Sequence, residues 1–239
     1  MSLYRDKGVV LRSYKLGESD RIVVIMTENF GKVRAVAKGV RKTKSKIGAR
    51  LEPMSHVDIQ LYRGRELDTV SQVESMGSAA RLHNNLEKLS QGMSMLEAVD
   101  MIAEDRQPSA HLYRMLVGGL TALMEQDSPV MLPAFYWKLL AAEGVRPQVR
   151  NCIGCNTEEG LVAFDVVGGG VQCRNCRTGV SISEPVLLLL QQVLGGMLIT
   201  ALAQSESSAS FELAQLATQA MEHHIERRLR SVAMFNPRH

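Results

Sequence analysis

Gly31-Lys32-Val33-Arg34-Ala35-Val36-Ala37-Lys38 is the stretch from which the fold can be read. Successive side chains of a β-strand point to opposite faces. Val33, Ala35 and Ala37 therefore share one face, and Lys32, Arg34 and Lys38 the other. The first suits a core; the second is a row of cations in water. On either side the chain predicts four more strands, at about 7–16, 20–28, 56–62 and 66–74. Ile22, Val23, Val24 and Ile25 form a short apolar run, and Val57, Ile59 and Leu61 alternate cleanly. Asn29-Phe30-Gly31 and Arg63-Gly64-Arg65 supply turns, because glycine tolerates positive φ. Five short strands in some seventy residues, with one long connection, predict a small closed barrel of the OB type. A long connection in a compact domain is often functional.

That connection extends the row of charge. From Asn29 to Leu51 there are eight cations (Lys32, Arg34, Lys38, Arg41, Lys42, Lys44, Lys46 and Arg50) and no acid over 23 residues. Residues 1–75 hold 15 Lys/Arg against 9 Asp/Glu, a net of +6; the remainder hold 13 against 16, a net of −3. A charge run is usually a solvated face, but a run without acids on a barrel of this kind points to a polyanion, with affinity that falls steeply as salt rises. Tyr14, Phe30 and Tyr62 are possible base-stacking residues, each equally readable as core or rim. Aromatics make up only 5% of the chain, which argues against stacking as the main device.

From Ala79 the spacing turns helical. Ser94-Met95-Leu96-Glu97 has the form of a capping box, with Pro108 ending that helix and Ser109 capping another through Met124. Ser128-Pro129 opens the next, Gly144 is a plausible left-handed end residue, and Pro147 prevents resumption. Helices return at about 185–203 and 208–232. Glu184 to Glu206 carries no charge between its ends, but Pro185, Gln191, Gln192 and Gly195-Gly196 interrupt it. A spanning helix needs roughly 20 predominantly apolar residues, so two buried helices meeting at the glycines are expected and no membrane span. The first residues lack an apolar signal segment, which leads to an expectation of a cytoplasmic location.

The four cysteines fall as Cys152-x-x-Cys155, seventeen residues, then Cys173-x-x-Cys176. Each pair can wrap a tight knuckle that offers two thiolates, and two knuckles complete the tetrahedron of a structural Zn²⁺. Between them Leu161–Val167 reads as a strand, and Gly168-Gly169-Gly170 turns the chain back, the layout of a zinc ribbon. Four thiolates leave no coordination position for water, so the metal is expected to be structural. A redox Cys-x-x-Cys or incidental free cysteines are the competing readings.

No catalytic constellation stands up. The glycine run 168–170 lacks the Lys-Ser/Thr of a phosphate loop, and neither Gly-x-Ser-x-Gly nor His-Glu-x-x-His occurs. His223 and His224 are adjacent on a helix and so point about 100° apart. Asp100, Glu104 and Asp105 read as solvated charge or capping near a helix end. The expectation is a protein that is not an enzyme.

These residues together resemble the bacterial RecO family of recombination mediators over nearly the whole chain. The resemblance is carried by Gly8-Val9-Val10-Leu11-Arg12, Gly17-Glu18-Ser19-Asp20-Arg21-Ile22, Thr27 to Gly31, Ala37-Lys38-Gly39-Val40-Arg41 to Ser45, and Gly64-Arg65-Glu66-Leu67. Leu96 to Asp100, and Phe135 to Gly144 with Pro147 and the first cysteine pair, also fit. The resemblance implies an α+β multidomain fold: an OB barrel at 1–78, a helical domain at 79–149 and 179–239, and an inserted zinc module at 150–178. It implies binding of single- and double-stranded DNA and annealing of complementary strands in DNA repair. It further implies binding the acidic C-terminal tail of the single-stranded-DNA-binding protein and, with RecR, loading of RecA onto coated strands. An acidic-tail site should pair an apolar groove with one or two cations, for which Arg114, Lys138 and Arg146 are the candidates. The rival class is a zinc-ribbon accessory of transcription or translation that binds RNA; a nuclease ranks last, for want of a carboxylate or histidine cluster.

Overall fold

The computed structural model describes residues 2–41, 47–77 and 80–231. The described residues form two compact units, one of those up to Glu125 together with Ser231, the other of Gln126–Arg230.

The first unit is built on strands β1 (Leu3–Leu16), β2 (Asp20–Thr27), β3 (Gly31–Ala37), β4 (His56–Tyr62) and β5 (Asp68–Ser75). They close into a barrel in the order β1-β2-β3-β5-β4, which matches the expected OB-like architecture. β1 makes closure possible by its length. Its first half pairs with β4 (Leu3↔Tyr62 to Val9↔His56) and its second with β2 (Gly8↔Thr27 to Leu16↔Asp20). The register slips between Val10 and Arg12, a bulge of the kind that bends a strand round a barrel corner. Gly8 sits where the two pairings overlap; a Cβ there would lie 2.5 Å from Ile25 Cγ2. A short parallel pairing of β3 with β5 (Ala35↔Asp68, Val36↔Thr69) completes the ring.

Val10, Val23, Ile25, Val33, Ala35, Ala37, Leu51, Val57, Ile59 and Leu61 fill the interior. Val9, Leu11, Val24 and Met26 are buried as well, on the outside of β1 and β2. There they lie under helices α2 (Leu86–Ile102) and α3 (Ala110–Glu125), which follow a one-turn α1 (Ala80–His83). Burial on both faces is why β2 reads as a continuous apolar run while β3 alternates. Each such Val, Leu or Ile contributes about 1.5–3 kcal/mol when fully buried.

α2 begins earlier than Ser94. Its cap is Asn85, whose side chain accepts from the Lys88 amide at 3.0 Å. Ser94 is buried in mid-helix with its hydroxyl bonded to the Ser90 carbonyl at 2.9 Å, so it does not compete with the helix. Glu97 instead accepts from the Ser231 amide and hydroxyl, at 2.8 and 2.5 Å. Asp100 also departs from expectation: it is 7% exposed, neither solvated nor a cap.

In the second unit α4 (Met131–Ala142), α5 (Glu184–Leu194) and α7 (Ser208–His224) pack on one another, with a short α6 (Leu198–Leu202) after the Gly195-Gly196 break. α4 starts two residues after Pro129; the Ser128 hydroxyl accepts from the Val130 amide at 3.2 Å. Gly144 ends it at φ +84°, with the Val145 amide returning to the Leu140 carbonyl. α7 opens on a reciprocal Ser207/Ser210 capping box and stops at His224, short of 232. A sheet of order β7-β6-β8 (Gly170–Cys173, Leu161–Asp165, Val180–Ser181) lies between α4 and α5 in sequence. Its Phe164 packs edge-on against Trp137 of α4, ring centroids 5.4 Å apart. Among the described residues no helix is long and apolar enough to cross a membrane.

Candidate nucleic-acid interface and metal centre

Strand β3 carries the expected pattern: Val33, Ala35 and Ala37 are buried and Arg34 is exposed. The cations of that outer face have different fates. Lys32 is taken out of the row. Its ammonium donates to the Asp100 main-chain oxygen at 2.7 Å and lies 3.5 Å from the carboxylates of Asp100 and Asp105; its side chain is only 13% exposed. The cause is the α2–α3 connection, which adds to the strand edge through a bridge between Lys32 and Asp105 and a bond from the Arg106 amide to the Lys32 carbonyl.

Arg34 and Lys38 stay exposed, and among the described residues neither meets an acid. Arg41 is exposed but pinned, donating to the carbonyls of Gly17 and Glu18 at 3.1 and 2.9 Å. This ties the start of the long connection to the β1–β2 turn, as does the bond from the Gly39 amide to Asp20. Arg50 sits on a 3-10 turn (Gly48–Leu51) and donates to the Val73 carbonyl of β5 at 2.8 Å, away from β3. Lys42, Lys44 and Lys46 lie outside the described residues.

Two further cationic features escaped the sequence reading. Arg12 reaches from β1 to the buried Asp100 (Nε to Oδ2, 2.6 Å), and its guanidinium lies 5.0 Å from the Tyr14 ring centroid. Arg63, after β4, lies over both Tyr4 and Phe30, at 5.3 and 5.4 Å. Phe30 is thereby a packed, half-buried ring, whereas Tyr14 and Tyr62 are 39% and 41% exposed. Arg63 has no local signal beyond its charge, since Tyr4 and Phe30 are remote in sequence; Arg12 has one in Tyr14, two residues on along the same strand face, but Asp100 is remote.

A polar knot ties β1 and β5 to the same α2–α3 connection. Buried Asp68 accepts from the Tyr4 hydroxyl, the Gly64 amide (2.9 Å) and Arg106 (2.9 Å). Burial alone would raise the Asp68 carboxyl, but these three donors hold it below the usual carboxylate range. Burial and the Asp68 carboxylate push the Tyr4 phenol upwards. His56, hydrogen-bonded to Tyr113 at 2.8 Å, is lowered by burial and by Lys7.

The four cysteines come together as the spacing predicts: the sulfurs of Cys152, Cys155, Cys173 and Cys176 all lie within 4.8 Å of one another. The ribbon sets them there. Asp165 accepts from the Val167 and Gly168 amides to fold the hairpin, and the buried Gln172 amide holds Thr178 and Gly179 behind the second knuckle. The amides of Cys173 and Gly154 point at Cys152 Sγ (3.3 and 3.4 Å) and bring its thiol down to about 6. Cys176, crowded by Cys155 and Cys173, is pushed up to about 12. Four sulfurs this close resist ionising together unless a dication joins them, so the donor set fits a structural Zn²⁺ held by four thiolates.

Arg114 is exposed on α3 in the first unit. In the second, Lys138 is half-buried on α4, and Arg146 donates to the Leu194 carbonyl at 2.6 Å. Arg146 also lines a groove of about 770 Å³ with Trp137, Leu140 and Phe164. His223 and His224 border the same groove from the end of α7, beside Glu222 and Glu226.

Residues 1–79 match the family model described as "Recombination protein O N terminal", and residues 83–233 match "Recombination protein O C terminal". The first match spans the barrel, and the second spans the helices and the cysteine ribbon. The chain belongs to the recombination protein O family.

Proposed function

We propose that this protein is a DNA-binding recombination mediator that acts by binding rather than by catalysis. Residues 1–78 carry the nucleic acid, 150–178 hold one structural zinc ion, and the helices of 79–149 and 179–239 serve protein partners. The observation that carries the reading is the pair Arg34 and Lys38. Arg12, Lys32 and Arg21 are engaged by Asp100 and Glu52, yet Arg34 on the outer face of β3 and Lys38 in the turn just after it have no acid to meet them among the described residues. Charge left open on a strand and at its end is available to phosphate.

Annealing follows from the same physics. Two strands repel, and a basic surface that contacts backbone without reading base edges lowers that repulsion for any sequence. Arg41, fixed on the β1–β2 turn, extends the surface, and Lys42, Lys44 and Lys46 follow it in the chain. The partners are RecR, the acidic tail of the single-stranded-DNA-binding protein and, indirectly, RecA. The apolar floor of Trp137, Leu140 and Phe164 with Arg146 supports an acidic-tail site, which like-charge repulsion keeps away from the Glu222 and Glu226 border contributed by α7 and its end. The test is annealing of complementary oligonucleotides, alone and coated with single-stranded-DNA-binding protein. Wild type should anneal both; an Arg34→Ala/Lys38→Ala variant should be slowed on both. RNA annealed in preference to DNA would favour the transcription or translation accessory.

A further inference from the structure

We infer that Tyr14 is a base-stacking platform that makes the barrel face prefer single strands over duplex. This rests on the reading above that the outer face of β1–β3 takes nucleic acid. Strand register places Tyr14 beside Ile22, and Ile22 beside Val36, in a row across three strands. One step back along the strands, Arg12 and Arg34 flank Val24. Neighbouring strands lie about 4.8 Å apart and same-face residues about 6.8 Å apart along a strand. The ring is thus one step from Arg12 and two strands from the open Arg34. Ile22 and Val36 are half-buried between, giving a shallow apolar floor with charge at its border.

The ring is also held in place. Asp100 of α2, 7% exposed, fixes the Arg12 guanidinium at 2.6 Å, and that guanidinium lies against Tyr14 at 5.0 Å. A flat group supported on one side by a cation, and still 39% exposed, offers its remaining surface to another flat group. Phe30 is half-buried, its ring packed by Tyr4 and Arg63, and offers less surface. Phosphate contacts alone do not separate single strands from duplex, since both carry them. Unstacked base faces belong to single strands, so an aromatic platform adds affinity there alone.

The test compares three labelled probes of equal length at one salt concentration: a mixed-sequence single strand, an abasic sugar–phosphate strand, and a duplex. Tyr14→Leu keeps the apolar area and removes the ring; Tyr14→Phe keeps the ring. Tyr14→Leu should weaken single-strand binding about tenfold, within the range of one lost base–aromatic stack, and leave the abasic strand and the duplex unchanged. Tyr14→Phe should bind all three as wild type does. Equal loss on all probes, or no loss on the single strand, overturns the platform while leaving the basic face intact. If wild type binds none of the probes at low salt, the nucleic-acid reading falls and the platform with it.

Discussion

Lys32 Nζ lies 2.7 Å from the main-chain oxygen of Asp100, which makes the first cation of the basic strand a link between β3 and α2. Asp100 answers Arg12 as well, so one buried carboxylate fixes two cations of the same barrel face. Removing one partner of a buried pair leaves charge without compensation. Lys32→Ala should therefore destabilise the first unit by about 2–3 kcal/mol, below the usual 3–5 because Arg12 still meets the carboxylate. Urea unfolding followed by circular dichroism measures it. Single-strand affinity of the folded variant should stay within about twofold of wild type, since Lys32 is not free to reach phosphate.

Asp68 gives the barrel an acid limit. Its carboxyl is held down in the folded chain, so the ionised form stabilises the fold above the unfolded carboxylate pKa of about 3.9. That contribution is lost as pH falls through the lower folded value. Stability measured from pH 7 to pH 2 should therefore drop below about pH 4. Asp68→Asn should be less stable at neutral pH and show a shallower acid drop; an unchanged acid profile would remove Asp68 from the account.

Much of this was legible in the chain and some was not. The alternation of β3 and the buried run of β2 specify the barrel because side-chain period and burial are local properties. The cysteine knuckles and the Gly144 helix end are likewise set by neighbours a few residues away. The sequence puts Lys32 in a solvent row because its partner Asp100 lies 68 residues on and itself reads as solvated charge. Ser94 and Glu97 imitate a cap for a related reason. A serine bonded to a carbonyl one turn back fits inside a helix as well as at its start, and only Ser231 shows what Glu97 is for.

The zinc module should be reported by a single fluorophore. Trp137 is the only tryptophan, and Phe164 of the ribbon packs against it. One zinc ion per chain is expected by elemental analysis. Removing it with a chelator should shift Trp137 emission towards that of an exposed indole, as should Cys152→Ser. Unaltered emission after complete zinc loss would mean that the ribbon holds its shape without metal.

Two glycines with positive φ separate strain from collision. Gly31 (φ +69°) would place a Cβ 1.9 Å from the Gln107 carbonyl oxygen, whereas Gly144 (φ +84°) would place one in open space. Gly144→Ala should cost about 1 kcal/mol, the ordinary backbone penalty. Gly31→Ala should cost clearly more, because the chain at Gln107 must also move. Equal melting shifts for the two variants would contradict the close approach of the α2–α3 connection to β3.

The most direct test of the nucleic-acid face is the salt dependence of single-strand binding, read by fluorescence anisotropy for wild type, Lys32→Ala and Arg34→Ala/Lys38→Ala. Counterion release contributes a slope of about −0.7 per phosphate neutralised on a single strand. The double variant should bind more weakly with a slope shallower by about 1.4, while Lys32→Ala keeps the wild-type slope. A double variant with the wild-type slope and affinity would contradict the assignment and place the nucleic acid elsewhere on the protein.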